Sequence, residues 1–385
     1  MWLLRRLAPD FKTIADFRKD NRWAIRQVCR EFTLFCRELN LFGGELVAID
    51  GSKFKAVNSR DRNYTRRKLD SSLRRLEEKI ETYLNELDEV DGEELDQQNP
   101  TVTELKEKIE TMQQRQVELQ ALSEKLEASD ETQISLTDPD SRSMPLGKGR
   151  GTQVGYNVQL TVDAKHKLIL DNEVTNSVTD REQLSPMATR AKDLLQTDEL
   201  EALADMGYYY GKEIKACLEA GVTPYIPKPD TSANSKLGLY AKKDFRYDPE
   251  QDSYVCPAGE ALTFRFQTTE LGRDIRYYAT RACKGCELRQ QCTRNKGGRR
   301  ITRWVEEALL EEMQRRVGAD PAKVQQRKQI VEHPFGTIKH SMDQGYFLMR
   351  GLPKVRAEMS LSVLAYNIKR AIKILGVQQM VASLA

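Results

Sequence analysis

The sequence predicts an α/β protein, a mixed sheet flanked by helices and interrupted by two insertions. Three observations predict it. Short apolar runs at Leu46 to Ile49, Leu200 to Ala204 and Val222 to Ile226 alternate with amphipathic stretches from Arg181 and Lys212 onward, the alternation of a mixed sheet. A leucine seam at coiled-coil spacing interrupts that alternation. A cluster of four cysteines interrupts it again, between the last apolar strand and the C-terminal helices.

The organisation expected along the chain follows from these breaks. Residues 1–44 form a helical N-terminal region, and 45–65 the first part of the core. Residues 66–128 form an inserted, coiled-coil-like helical hairpin, and 129–229 continue the core. Residues 230–300 form a Cys-rich insertion, and 301–385 the core's C-terminal helices.

In the N-terminal region, Pro9-Asp10 is a helix start signal. Phe11, Ile14, Phe17, Ile25, Val28, Phe32, Phe35 and Leu39 then recur at helical spacing. Gly43 and Gly44 close it. Leu46 to Ile49 reads as a strand buried on both faces, ending at Asp50-Gly51. Leu69, Leu73, Leu76, Ile80, Tyr83, Leu87 and Val90 step by four and three. The turn-rich stretch Asp91 to Thr101 interrupts them, and Leu105, Ile109, Met112, Leu119, Leu122 and Leu126 restore the period. The central break favours an antiparallel hairpin over an intermolecular coil. Residues 129–153, including Gly147-Lys148-Gly149-Arg150-Gly151, read as a polar loop whose glycine spacing matches no phosphate-binding fingerprint. Tyr156 to Asp163 and Leu168 to Val174 form a β-hairpin. Arg181 to Leu195 and Lys212 to Ala220 are helices between the remaining strands. Residues 348–355 read as a loop, and Ala357 to Leu375 as an amphipathic helix covering the sheet.

Composition narrows the function classes. Of 385 residues, 31% are charged and 7% aromatic, which suits a protein with long exposed helices. No apolar run reaches the length of a bilayer span. The start, Met-Trp-Leu-Leu-Arg-Arg-Leu, lacks the order of a signal peptide, so a cytoplasmic location and no membrane partner are expected. The net charge of +3 makes a whole-chain electrostatic argument for nucleic acid weak. Local clusters say more. Arg60, Arg62, Arg66, Arg67 and Lys68 form one, and Arg281, Lys284, Arg289, Arg294, Lys296, Arg299, Arg300 and Arg303 another. Each is either solvated surface or a phosphate-neutralising patch.

The candidate chemistry lies in three acids. A carboxylate ending a buried strand is costly unless solvated, paired or bound to a cation. Asp50 has that setting, with an Asx turn as the plain alternative. Asp205, before Met206-Gly207, repeats it. Sites in open α/β sheets gather at strand carboxyl ends, and two such acids can hold Mg²⁺ or Mn²⁺. Glu332 is the candidate third acid. It sits among Ile330, Val331, Phe335 and Ile338, with Lys328 and Lys339 at helical offsets; a salt-bridged helix is the alternative.

The contexts Ala48-Ile49-Asp50-Gly51-Ser52-Lys53, Ala204-Asp205-Met206-Gly207-Tyr208 and Val331-Glu332-His333-Pro334-Phe335-Gly336-Thr337-Ile338-Lys339, with Gly155-Tyr156-Asn157-Val158-Gln159 between them, resemble the Asp-Asp-Glu transposases of bacterial insertion sequences, in the IS4/IS5-like group. The resemblance spans most of the chain. It implies a ribonuclease-H-like core and two Mg²⁺ (or Mn²⁺) per active site, held by Asp50, Asp205 and Glu332. It further implies phosphodiester cleavage at transposon ends followed by strand transfer. Such enzymes carry Tyr, two residues, Arg, three residues, Glu, six residues, Lys. Here Glu332 and Lys339 fit, while the Arg position falls on Lys328 and the Tyr position on Gln325; Arg327 is adjacent. Lys53, Arg327, Lys328 and Lys339 are then the expected DNA-binding residues, with His333 as support for the site. The partners implied are the terminal inverted repeats and target DNA, bound by a homodimer. A nuclease without strand transfer, or a truncated or inactive DNA-binding derivative, are the alternatives, since relatives carry a helical DNA-binding domain ahead of a region like 1–40.

The cysteines form a separate module. Cys283-x-x-Cys286 has zinc-knuckle spacing, and Cys256 and Cys292 complete four thiols in a zinc-ribbon-like insertion. A structural Zn²⁺ is favoured over four reduced thiols. Cys29, Cys36 and Cys217 read as core, and His166 and His340 as incidental.

Overall fold

The computed structural model describes residues 8–58, 60–91, 100–129, 131–147 and 149–383. The expectations for the N-terminal seven residues, for residues 92–99 of the turn-rich stretch and for Lys148 lie outside the described residues.

A six-stranded mixed sheet forms the centre. The strand Leu46–Lys55 lies inside it, antiparallel to Thr152–Asp163 and parallel to Leu200–Leu203, which in turn pairs with Val222–Tyr225. Ile169–Thr175 pairs with the other edge of Thr152–Asp163, so the β-hairpin read from the sequence is present. The expected double-sided burial also holds. Val47 and Ile49 enter one hydrophobic core, with the helices Leu184–Leu195 and Gly211–Glu219. Ala48 and Phe54 enter a second, with the helices Pro321–Gly336 and Leu352–Leu375.

The first strand does not stop at Asp50, as the sequence suggested. It runs on to Lys55, because Thr152–Asp163 pairs with it throughout, from Val47 opposite Asp163 to Lys55 opposite Gly155. The parallel neighbour pairs only as far as Ala48 opposite Leu203. From Asp50 onward one edge of the strand is therefore free of that neighbour, which is why Asp50, Ser52 and Lys53 are tolerated inside a strand.

Residues 8–38 form two helices, Phe11–Asp20 and Arg22–Glu38, separated at Asn21. The helices Arg66–Asp91 and Pro100–Glu127 pack on each other, with Leu69, Leu119 and Leu126 buried beneath them. Part of the stretch read as loop is strand. Gln133–Ser135 pairs with Asn63–Thr65 at the base of the hairpin, and Arg142–Pro145 joins the central sheet. The Cys-rich region contains a five-stranded antiparallel sheet that no periodicity announced. Its longest strand, Ala261–Glu270, is exposed on both faces apart from Leu262 and Thr268, so it shows no apolar alternation. Its last strand, Arg300–Trp304, crosses the position at which the C-terminal helices were expected to begin. The covering helix begins at Leu352, with Pro353 in its first turn, where a missing N–H costs nothing. No described helix is long and apolar enough to cross a membrane.

Candidate active site

The site forms where the strand Leu200–Leu203 ends and its neighbour continues. Asp50 and Asp205 lie on either side of that gap. Asp50 Oδ2 accepts a 2.7 Å hydrogen bond from Arg327 Nη1, and its Oδ1 accepts from the Gly51 N–H at 2.9 Å. Burial pushes the Asp50 carboxyl up to about 6; Arg327 opposes that shift and the charge of Asp205 adds to it. The parallel pair ends at Ala48 opposite Leu203, so the two acids stand two residues beyond it on adjacent segments. Asp205 caps the short turn Met206–Tyr208 by accepting from the Gly207 N–H at 2.7 Å. The Gly here and at 51 thus follow carboxylates whose lone pairs are turned toward the chain.

The helix Pro321–Gly336 brings the bases. Asp320 caps it through the Lys323 N–H at 2.9 Å, and Pro321 opens it. Its sheet-facing stripe contains Val324, Arg327, Ile330, Val331, Pro334 and Phe335. Arg327 is therefore the base that reaches Asp50. Pro334 lies inside the helix, and past Gly336 the chain winds more widely through Thr337–Ser341. That turn aims Lys339 inward. Its Nζ donates to Ser52 Oγ at 2.6 Å and to the Lys53 carbonyl at 2.9 Å, and lies 4.6 Å from the Phe54 ring centre. Burial lowers its pKa.

Glu332 falls one step around the helix from Val331 and is exposed. Of the three expected acids the structure brings Asp50 and Asp205 together and leaves Glu332 facing outward. Among the described residues, no three His, Cys, Asp or Glu side chains stand in an arrangement that holds a metal ion. The present donor set offers a cation two neighbouring carboxylates, one already paired to Arg327, so a three-acid cage is not formed. Lys328 is exposed. His333 is drawn to the covering helix, its Nδ1 2.9 Å from the Tyr366 hydroxyl, which itself donates to the Lys167 carbonyl.

Two functional candidates escaped the sequence reading. Asp180 accepts from Asn157 Nδ2 at 2.6 Å and Gln159 Nε2 at 2.7 Å, and faces Lys53 Nζ at 3.6 Å. Tyr208 is wholly buried and its hydroxyl donates to Gln159 Oε1. Burial raises its pKa well above the usual range, with Asp180, Asp50 and Asp205 adding to the effect. The signal available in the sequence was the polar row Asn157, Gln159, Thr161 on one face of an otherwise apolar strand; all three are buried.

The four expected cysteines reach one pocket but do not stand as a metal-holding set. Cys256, Cys283, Cys286 and Cys292 line one pocket with Phe245, Leu262 and Arg299. Burial raises the Cys292 thiol, Arg299 opposes that, and the other three sulfurs add to it. Gly298, at φ +90°, permits the close approach, since a Cβ there would lie 2.9 Å from Cys283 Cβ. Cys29, Cys36 and Cys217 are buried in the helical cores.

Residues 255–372 match the family model described as a transposase DDE domain. That match covers 118 of the 385 residues. The matched stretch includes Arg327, Lys328, Glu332, Lys339 and the four cysteines, and Asp50 and Asp205 lie ahead of it. No curated protein matches the chain. One solved structure, the cryo-EM structure of the piggyBac transposase synaptic complex with hairpin DNA, is similar at 10% identity and a TM-score of 0.24. The likeness covers 60% of this chain and 45% of that one, so the chain spans less than half the length of that relative.

Proposed function

We propose that the protein is a DNA transposase that cleaves phosphodiester bonds at transposon ends and joins them to target DNA. The observation that carries the reading is the meeting of Asp50 and Asp205 at the end of a parallel strand, bridged by Arg327 to a helix inside the matched DDE domain. The fold this implies is a ribonuclease-H-like core, here interrupted by the helical hairpin of residues 66–128 and by the Cys-rich sheet.

Phosphoryl transfer needs little covalent chemistry from the protein and much positioning and charge neutralisation. Asp50 and Asp205 would hold a divalent cation, Mg²⁺ or Mn²⁺, and oxygen-only donors suit either. The cation would act as a Lewis acid at the phosphoryl oxygens. Arg327 and Lys53 neutralise the acids when no cation is bound and stand beside the position of a scissile phosphate. Lys339, held to the strand at Ser52, and the exposed Lys328 would add phosphate contacts. Glu332 is the third acid of the proposal on the strength of its spacing to Lys339; it faces outward in this structure and would turn toward Asp50 and Asp205 to join them. A homodimer on paired ends is part of the same reading.

Cleavage of DNA carrying candidate terminal repeats, with and without Mg²⁺, tests it. The wild type is expected to nick in a metal-dependent manner. Asp50→Ala, Asp205→Ala and Glu332→Ala are each expected to lose at least a thousand-fold in rate, on the order of 4 kcal/mol in the barrier. Retained cleavage in Glu332→Ala removes that residue from the set; retained cleavage in either Asp variant removes the reading. Uncleaved DNA that is still bound by the wild type would favour a DNA-binding derivative instead.

We also propose that Cys256, Cys283, Cys286 and Cys292 bind one structural zinc ion. Four cysteines lining one small apolar pocket support it, and tetrahedral thiolate sites are the habitual use of such a set; the side chains would close in on the ion, since they do not stand as a metal-holding set without it. Elemental analysis of protein purified without chelator is expected to find one zinc per chain, reduced in Cys283→Ser; no stoichiometric zinc contradicts it.

A further inference from the structure

We propose that Asp180 is a positioning residue of the acid site that acts through Lys53, an inference resting on the functional reading above. Alternation along the first strand sends Gly51 and Lys53 to one face and Asp50 to the other. Opposite them on the antiparallel neighbour stand Gln159 and Asn157. Asp180, just ahead of the helix Leu184–Leu195, enters from that side and gathers Asn157, Gln159 and Lys53 around one carboxylate.

Two glycines make the room. A Cβ at Gly51 would lie 2.6 Å from Asp180 Oδ1. One at Gly207 would lie 3.8 Å from Asp180 Oδ2 and 2.9 Å from Asp205 Oδ1. The Asp180 carboxylate is therefore lodged between the glycines that follow Asp50 and Asp205, and those glycines gain a function beyond turn formation.

Two buried polar atoms there have no hydrogen-bond partner, Lys53 Nζ and Asn157 Oδ1; Asn157 is wholly buried. A buried ammonium without a hydrogen bond is expensive. Burial lowers the Lys53 pKa, and Asp180, 3.6 Å from its Nζ, opposes that most strongly, with Asp205 and Asp50 as weaker supports. The arrangement stores a cationic side chain beside the acids, ready to meet a phosphate oxygen. Losing Asp180 releases Lys53 from that position.

The experiment combines two readouts. In DNA cleavage at saturating DNA, Asp180→Asn is expected to slow turnover about ten- to a hundred-fold, the scale of a misplaced catalytic contact. The double variant Asp180→Asn/Lys53→Met is expected to be no slower than Lys53→Met alone. Gly51→Ala, whose Cβ would crowd both Gln159 Nε2 and Asp180 Oδ1 without changing any charge, is expected to reproduce the defect. The second readout needs no DNA. Amine acetylation of Lys53, followed by mass spectrometry, is expected to be several-fold faster in Asp180→Asn and in Gly51→Ala than in the wild type, with unchanged melting of the fold. Additive defects in the double variant, or unchanged Lys53 labelling, overturn the role given to Asp180. A wild type that cleaves nothing sinks the functional reading, and the labelling still decides the positioning role.

Discussion

Asp50 is an acid that burial disfavours and Arg327 retains. The apolar run before it in the sequence foretold the first half of that statement, since Val47, Ala48 and Ile49 have no exposed surface. Nothing local foretold the second half, because Arg327 is 277 positions away. Asp205 was legible by the same logic. Asp180 was not, because it stands in a polar loop and matters only through the strands it reaches. The outward turn of Glu332 was not legible either. Its apolar neighbours Ile330, Val331, Phe335 and Ile338 do face the sheet, but Glu332 lies about 100° round the helix from Val331. Gly155 shows a third kind of residue-scale requirement. A Cβ there would overlap the Phe54 carbonyl of the paired strand, and backbone yields less readily than side chain. Gly155→Ala is expected to cost roughly 1–3 kcal/mol, read as a lower urea midpoint with an unchanged slope. An unchanged midpoint would mean that the two strands separate more easily than their register implies.

Elements with strong periodicity were read well, and elements without it were missed. The leucine seam located both helices of the hairpin, because packing two helices on one another demands an apolar stripe. The β-hairpin in the central sheet was equally clear. The antiparallel sheet around the cysteines was invisible, because a small sheet solvated on both faces of its longest strand has no alternation to show. The helical hairpin is anchored at its base. Leu69, Leu119 and Leu126 bury there against Tyr64, beside the short strand pair Asn63–Thr65 and Gln133–Ser135. Leu126 is fully buried, so Leu126→Ala is expected to cost about 2–5 kcal/mol. Hydrogen exchange should show that loss concentrated in residues 66–127. An even loss over the whole chain would instead make the hairpin part of the main cooperative unit.

At the scale of the molecule, the central sheet serves as a meeting place for segments far apart in the chain. The strand at residue 50, the turn at 205, the loop at 180 and the helix at 327 converge where one parallel strand runs out. The stretch similar to the transposase DDE domain model supplies the helix and its bases, and the residues before it supply the acids. The central claim is that Asp50 and Asp205 make one cation site. Titration of Mn²⁺ into the protein, followed by the electron paramagnetic resonance of the free ion, tests this most directly. The wild type is predicted to remove Mn²⁺ saturably from solution, and Asp50→Asn and Asp205→Asn are each predicted to weaken that uptake at least ten-fold while keeping their far-ultraviolet circular dichroism. Equal Mn²⁺ uptake by the wild type and both variants would contradict the account.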